Sequence, residues 1–166
     1  MLASGMQSGF AKSTVLGLSS GMRIAVLADT HDRFPVGLAG RLRGADEIWH
    51  LGDVCDPAML EELELNGRPL LVVLGNCDWN RAWPRELQFE RAGVRFVLVH
   101  IPPGKTPPGT DVVIHGHTHV PRDETDPLGV RWLNPGCISR PRGGRRPGFA
   151  WLDLAPGCFG WSLVSL

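Results

Sequence analysis

Seven residues of metal-binding type follow five apolar runs in this chain: Asp29 and His31, then Asp53, Asn76, His100, and finally His117 and His119. The last two close the stretch DVVIHGHTH, Asp111 to His119, in which Gly116 interrupts a run of β-branched residues. Singly, such residues have ordinary roles. An aspartate after a strand commonly caps a helix, and a lone loop histidine is commonly a surface residue. Five successive runs ending in imidazole, carboxylate or carboxamide form a different pattern. Seven donors exceed the four taken by a tetrahedral zinc. They suit two divalent cations that share a bridging carboxylate, each with room left for water or substrate. Mixed nitrogen and oxygen donors admit manganese, iron, cobalt, nickel or zinc; manganese is the expected ion.

Such a site requires the five runs to end at one edge. Arg23–Ala28, Glu47–Leu51 and Pro69–Leu74 read as buried strands that end in Asp29-Thr30-His31-Asp32, Gly52-Asp53 and Gly75-Asn76-Cys77-Asp78. Pro35–Arg43 reads as a short helix. A second helix opens at Pro57, carries Met59, Leu60, Leu63 and Leu65 on its apolar face, and ends at Asn66-Gly67. Glu86–Arg91 and Val94–Val99 flank Ala92-Gly93 as a β-hairpin that runs into His100. Pro102, Pro103, Pro107 and Pro108 then exclude a helix before the strand at Val112–Ile114. From Val120 the pattern predicts short antiparallel strands at Gly129–Leu133, Gly148–Leu154 and Phe159–Leu166. Strands alternating with helices imply a parallel sheet, and α/β proteins bind ligands at its carboxyl edge. The expected fold is a two-sheet α/β sandwich with flanking helices on its outer faces and a second sheet supplied by the β-rich tail.

A chain of 166 residues suits one domain with a full core. Lys+Arg and Asp+Glu are both 17, and this balance argues against a general nucleic-acid binder. No apolar run approaches the roughly 18 residues of a membrane span. Cys55, Cys77, Cys137 and Cys158 show no Cys-x-x-Cys spacing, and no secretory signal is evident. They are expected as reduced thiols of a cytoplasmic protein. Residues 1–21 are rich in Gly and Ser with Lys12 as their one charge, and read as a flexible tail. Met22 is the expected natural start, and 22–166 the expected single domain. The sequence leaves homo-oligomerisation open.

The blocks Asp29-x-His31, Gly52-Asp53, Gly75-Asn76, the strand-end His100 and Gly116-His117-x-His119 occur in an order that resembles the calcineurin-like metallophosphoesterase superfamily. Gly75-Asn76-Cys77-Asp78, with Asn134-Pro135-Gly136 and Pro141-Arg142-Gly143-Gly144, is most similar to a branch of small bacterial and archaeal phosphodiesterases. The resemblance runs from Arg23 to the last strand. It implies a divalent-metal-dependent phosphoesterase of phosphodiesterase type, acting on a small phosphate ester, a nucleotide among the candidates. It further implies a metal-bridging hydroxide as nucleophile. Asp29, His31 and His119 would hold the first metal, Asn76, His100 and His117 the second, and Asp53 would bridge them. Asp53, Asn76 and His117 would thereby carry the catalysis.

Three positions depart from that pattern. Cys77 stands where many members carry a histidine that protonates the leaving group. A thiol of pKa about 8.5 is a less suitable acid than imidazolium, so diesters with good leaving groups are the expected substrates. His100 is followed by Ile101 and a Pro-rich loop, where relatives have glycine and a helix; this tight crossover is expected to open the substrate mouth. Cys137 stands where relatives often have serine, and reads as a packing residue.

Arg142, in a loop with Arg140, Arg145 and Arg146, reads either as a phosphate-recognising residue or as part of a solvated loop. Asp78 reads as a residue that orients a ligand, and His50 as structural. His115 fits either role, and Trp79 and Trp83 are cleft walls or core. Two alternatives stand beside the phosphodiesterase: a non-catalytic protein-binding scaffold on the same fold, and a phosphomonoesterase or phosphoprotein phosphatase.

Overall fold

The run from Ile24 to Ala28 has no polar side chain, so a strand built from it needs apolar cover on both faces. The computed structural model, which describes residues 21–64, 67–79 and 82–166, provides that cover. β1 (Met22–Leu27) lies inside a five-stranded sheet, flanked by β2 (Glu47–His50) and β9 (Gly148–Ala155), with β3 (Leu70–Val72) and β10 (Cys158–Ser165) at the edges. β1, β2 and β3 run parallel, whereas β9 and β10 are antiparallel additions. A second five-stranded sheet has the order β4 (Glu86–Arg91), β5 (Val94–Val99), β6 (Val112–His115), β8 (Arg131–Asn134), β7 (Arg122–Thr125). Its three central strands are parallel and its two edges antiparallel.

Side-chain alternation divides β1 between two clusters. Ile24 and Val26 meet Phe96, Leu98, Val112 and Ile114 between the sheets. Ala25 and Leu27 face outward against Leu38, Leu42, Leu60 and Leu63. Trp49, the largest fully buried side chain, receives Phe89 and Phe96 at 5.2 and 5.3 Å between ring centroids. Its indole N–H donates to Glu47 Oε2 at 3.0 Å, and Arg91 pairs with Glu47 at 3.0 Å, so this buried carboxylate is satisfied.

The sandwich is the expected class, with differences in detail. β9 and β10 do not build the second sheet; they extend the first beside β1. β8 is parallel to β6, and β7 was not expected at all. Strand pairing is a long-range backbone choice, and the same apolar pattern satisfies either neighbour. Helices are few. α1 is only Leu38–Arg41, bounded by Gly37 at φ 79° and carrying Gly40 inside it, where glycine lowers helix stability by about 1 kcal/mol. The second helix is a 3₁₀ turn at Pro57–Leu60, capped by the Asp56 side chain, running into α2 (Glu61–Glu64). Leu65 and Asn66 of its expected end lie outside the described residues, as does the expected tail apart from Gly21. Both helices cover the first sheet. The outer cluster of the second is Val97, Val99, Val113, Val130 and Trp132, with no helix among the described residues packed on it.

Candidate metal centre

The glycines ahead of the donors let the strand ends approach each other. A Cβ on Gly75 would lie 2.1 Å from Asp53 N and 2.2 Å from Asp53 Oδ1. A Cβ on Gly52 would lie 2.7 Å from Gly75 N and 2.9 Å from His100 Nδ1. Only a residue without a side chain fits at either place. Beyond the glycines the backbone turns into the left-handed region at Asp29, His31, Asp53, His117 and His119, with φ between 47° and 68°. Asp and His adopt this region more readily than most residues, but each such residue still costs on the order of 1 kcal/mol or more. Continued ladder bonds hold the turns: Asp29 N–H donates to Gly52 O at 3.1 Å, and His31 N–H to Asp53 O at 2.9 Å. The two sheets are tied by His117 N–H, which donates to Asp29 Oδ1 at 3.2 Å.

All seven sequence-predicted donors converge at this edge. His31 Nε2 lies 3.2 Å from His119 Nε2, and His119 Nε2 lies 3.6 Å from Asp29 Oδ1. Asn76 Oδ1 lies 3.0 Å from His100 Nε2 and 2.9 Å from His117 Nδ1. Asp53 stands between the two groups, with Oδ2 3.7 Å from His31 Nε2 and 3.4 Å from His100 Nε2. Its other oxygen accepts the Cys77 N–H at 2.8 Å. Backbone acceptors orient two of the rings: His100 Nδ1–H donates to Leu51 O at 2.7 Å, and His119 Nδ1–H to Arg140 O at 2.8 Å. In the neutral form that a metal requires, that leaves each Nε2 lone pair facing the cluster.

The electrostatics fit cations. Asp29 Oδ2 is buried with no hydrogen-bond partner among the described residues. Burial pushes the Asp29 carboxyl up to about 6, against the attraction of His100 and His119. His119 Nε2, its ring proton committed to Arg140 O, presents a lone pair 3.2 Å from His31 Nε2. Burial would raise the Asp53 carboxyl too, but hydrogen bonds from His100 and the Cys77 amide outweigh it and hold it well below the usual range. Burial lowers His31 and His117, and so keeps their imidazoles in the neutral, ligating form. Asp29, His31 and His119, and separately Asp29, Asp53 and His100, have donor atoms within 4.8 Å of one another. A family model for the calcineurin-like phosphoesterase superfamily domain matches residues 22–157.

The chain belongs to the calcineurin-like phosphoesterase superfamily.

A probable metallophosphoesterase of Methanothermobacter thermautotrophicus is 36% identical over 141 residues, covering 73% of this chain and 80% of that protein. Among solved structures, a novel archaeal phosphodiesterase superimposes with a TM-score of 0.71 at 22% identity, over 86% of this chain and 100% of its own. Vps29 of Entamoeba histolytica gives 0.70 at 20% identity, over 87% and 99%. These two likenesses are of fold. Membership implies divalent metal ions, and the donors gathered here match that requirement.

Around the centre of this calcineurin-like phosphoesterase lies a cavity of about 340 Å³, lined by His31, Asp53, Asn76, Cys77, His117 and His119 together with Arg140 and Arg142. The Arg142 N–H donates to His119 O at 3.2 Å, which fixes the arginine loop beside the histidines. Arg145 and Arg146 line no part of this cavity. Asp78 is buried and holds the loops from behind. Its carboxylate accepts N–H bonds from Asp53 at 3.0 Å, Cys55 at 2.7 Å and Gly75 at 2.7 Å. Asn134 does the same for the histidine loop: its amide donates to Gly116 O at 2.9 Å and Thr118 Oγ1 at 3.1 Å.

His50 is buried behind the site, with Nε2 2.7 Å from Thr30 Oγ1 and Nδ1 accepting the Gly52 N–H at 3.2 Å. His115 is buried against Asn134 and Trp132, outside the cavity. Trp83 packs on the outer cluster of the first sheet, and Trp79 is 82% exposed; neither lines the cavity. Cys137 Sγ lies 3.1 Å from Asp29 O. Two neighbours of the site lie outside the donor pattern in the sequence. Arg140 enters beside Arg142, and the arginine cluster was its signal. Cys55 Sγ lies 3.7 Å from His31 Nδ1, and only its place two residues after Asp53 hinted at it. No helix among the described residues is long and apolar enough to cross a membrane.

Proposed function

We propose that this phosphoesterase is a phosphodiesterase that acts on a small phosphate ester at a dinuclear centre. The observation that carries this reading is the position of Asp53 Oδ2, between His31 on one side and His100 on the other. Asp29, His31 and His119 would hold one divalent ion, Asn76, His100 and His117 the other, and Asp53 both. Manganese is the proposed metal. When bound, such ions supply Lewis acidity, a water of lowered pKa, and neutralisation of phosphoryl oxygens.

The chain's own groups do the rest. Leu51 O and Arg140 O fix the tautomers of His100 and His119. Asp78 and Asn134 hold the loops. Arg140 and Arg142 line the cavity and can take the non-bridging oxygens of an ester in forked hydrogen bonds. Burial and the charge of Asp53 push the Cys77 thiol up, so it is a poor proton donor to a leaving group. This supports activity on diesters whose leaving group needs little protonation. The modest cavity supports a small ester over a phosphoprotein.

The test is hydrolysis of a chromogenic phosphodiester and its monoester counterpart by chelator-stripped protein, with and without Mn²⁺, beside Asp53→Asn. Metal-dependent diester turnover that Asp53→Asn abolishes is the expected result. Preference for the monoester would move the reading to a phosphomonoesterase. No turnover with any divalent ion would move it to the protein-binding scaffold, the reading that the likeness to Vps29 keeps in view.

A further inference from the structure

A second cavity, of about 240 Å³, adjoins the first, and Asn76 lines both. One wall is apolar: Leu74, Val99, Ile101 and Pro103. Ile101 is 54% exposed there, on the Pro-rich loop directly after His100. The same cavity is also lined by Arg85 and Glu86. Pairing places these groups together. Glu86 is the register partner of Val99 in the β4–β5 hairpin, and Leu74 N–H donates to Pro84 O at 2.7 Å, which draws Arg85 to the end of the third strand.

In an in-line displacement the leaving group departs opposite the nucleophile, away from the donor floor. The retained ester arm points sideways, over the rim. Asn76 is the rim that the two cavities share, so a retained arm passing it enters the second cavity. A monoester has no such arm. An arm that fills this space needs a flat apolar face for Ile101 and Pro103, with donors and acceptors at its edge for Arg85 and Glu86. A nucleobase has that combination. The Glu86 carboxylate would repel a further phosphate, so a nucleoside fits better than a polyphosphate arm.

We infer that the cavity beyond Asn76 binds the retained arm of the substrate and that this arm is a nucleoside. The inference rests on the phosphodiesterase reading and narrows it to nucleoside phosphodiesters.

The experiment compares kcat/KM of the metal-loaded full chain for thymidine 5′-(p-nitrophenyl phosphate) and methyl p-nitrophenyl phosphate, which share a leaving group. The nucleoside ester is expected to be preferred by at least roughly tenfold. Ile101→Asp and Arg85→Ala, both at exposed side chains, are each expected to cut that preference severalfold, mainly through KM. They should also weaken binding of thymidine 5′-monophosphate by calorimetry. Turnover of both esters with a wild-type ratio near one, or a ratio that neither variant alters, overturns this inference and leaves the phosphodiesterase reading standing. Failure to turn over either ester overturns both.

Discussion

Asp78 grips Asp53 by the backbone: its Oδ2 accepts the Asp53 N–H at 3.0 Å, from a side chain that is itself 1% exposed. The same carboxylate takes the amides of Gly75 and Cys55, so three N–H groups from two loops converge on one charge. Asp78→Asn replaces half of that acceptor with a donor. The variant is expected to lose about 1–3 kcal/mol of stability and to bind metal roughly 10–100-fold more weakly. Denaturant titration and calorimetry with Mn²⁺ check both numbers. Unchanged metal affinity would mean that the loops hold the donors without Asp78.

Gly75→Ala drives a methyl group into the Asp53 backbone and carboxylate, which stand 2.1–2.2 Å from the Cβ position. Overpacking of this kind costs about 1–3 kcal/mol or more, and here it displaces the central donor. A folded variant with less than half the metal stoichiometry of wild type is expected, read by elemental analysis after dialysis.

Asp29 separates stability from function. Its buried carboxyl, raised to about 6, favours the folded state at low pH and loses that contribution as pH rises through the folded value. At pH 8 the metal-free fold therefore carries a buried charge with an orphaned oxygen. Asp29→Asn should melt no lower than wild type in chelator at pH 8. It should also lose most of the metal-induced stabilisation, worth about 2.7 kcal/mol at a hundredfold excess over Kd. A lower melting point in chelator would show that His100 and His119 already satisfy the carboxylate.

Cys77→His places an imidazole where the thiol is held protonated by burial and Asp53. Turnover of esters with alkyl leaving groups is expected to rise, by up to roughly 100-fold if the ring serves as general acid. Aryl esters, which need little protonation, are expected to change far less. An equal effect on both classes would place Cys77 outside proton transfer.

His50 supplies an acid sensitivity that does not require metal. Burial depresses its pKa to about 3, so the folded chain keeps it neutral while the unfolded chain protonates near 6.5. The stability it contributes is complete above about pH 6.5 and is lost as pH falls toward 3. Between pH 7 and 5 the loss from this residue alone is about 2 kcal/mol. His50→Gln in chelator should flatten the stability profile by that amount, measured by urea denaturation across the range.

Much of this site was legible in the sequence. The seven donors follow five apolar runs, and parallel strands carry whatever follows them to one edge, so linear order translates directly into spatial grouping. Gly52, Gly75 and Gly116 mark the turns in the sequence, although the space they lack for a side chain is taken by neighbouring strand ends. The sequence also determined the donor chemistry, since Asp and His both bind cations and tolerate the left-handed backbone that aims them.

Pairing was decided only in the tertiary structure. Gly148–Ala155 beside β1, and Arg131–Asn134 parallel to β6, are choices among backbones whose apolar patterns are interchangeable, made by burial on both faces of each strand. Packing also decided which oxygen of Asp53 faces the histidines, because Cys77 N–H occupies the other. It brought Arg140 and Arg142 to the donors, and Arg85 to Ile101, from segments that no local spacing relates. Strand content and donor type are properties of neighbouring residues; the contacts across loops are properties of the closed sandwich.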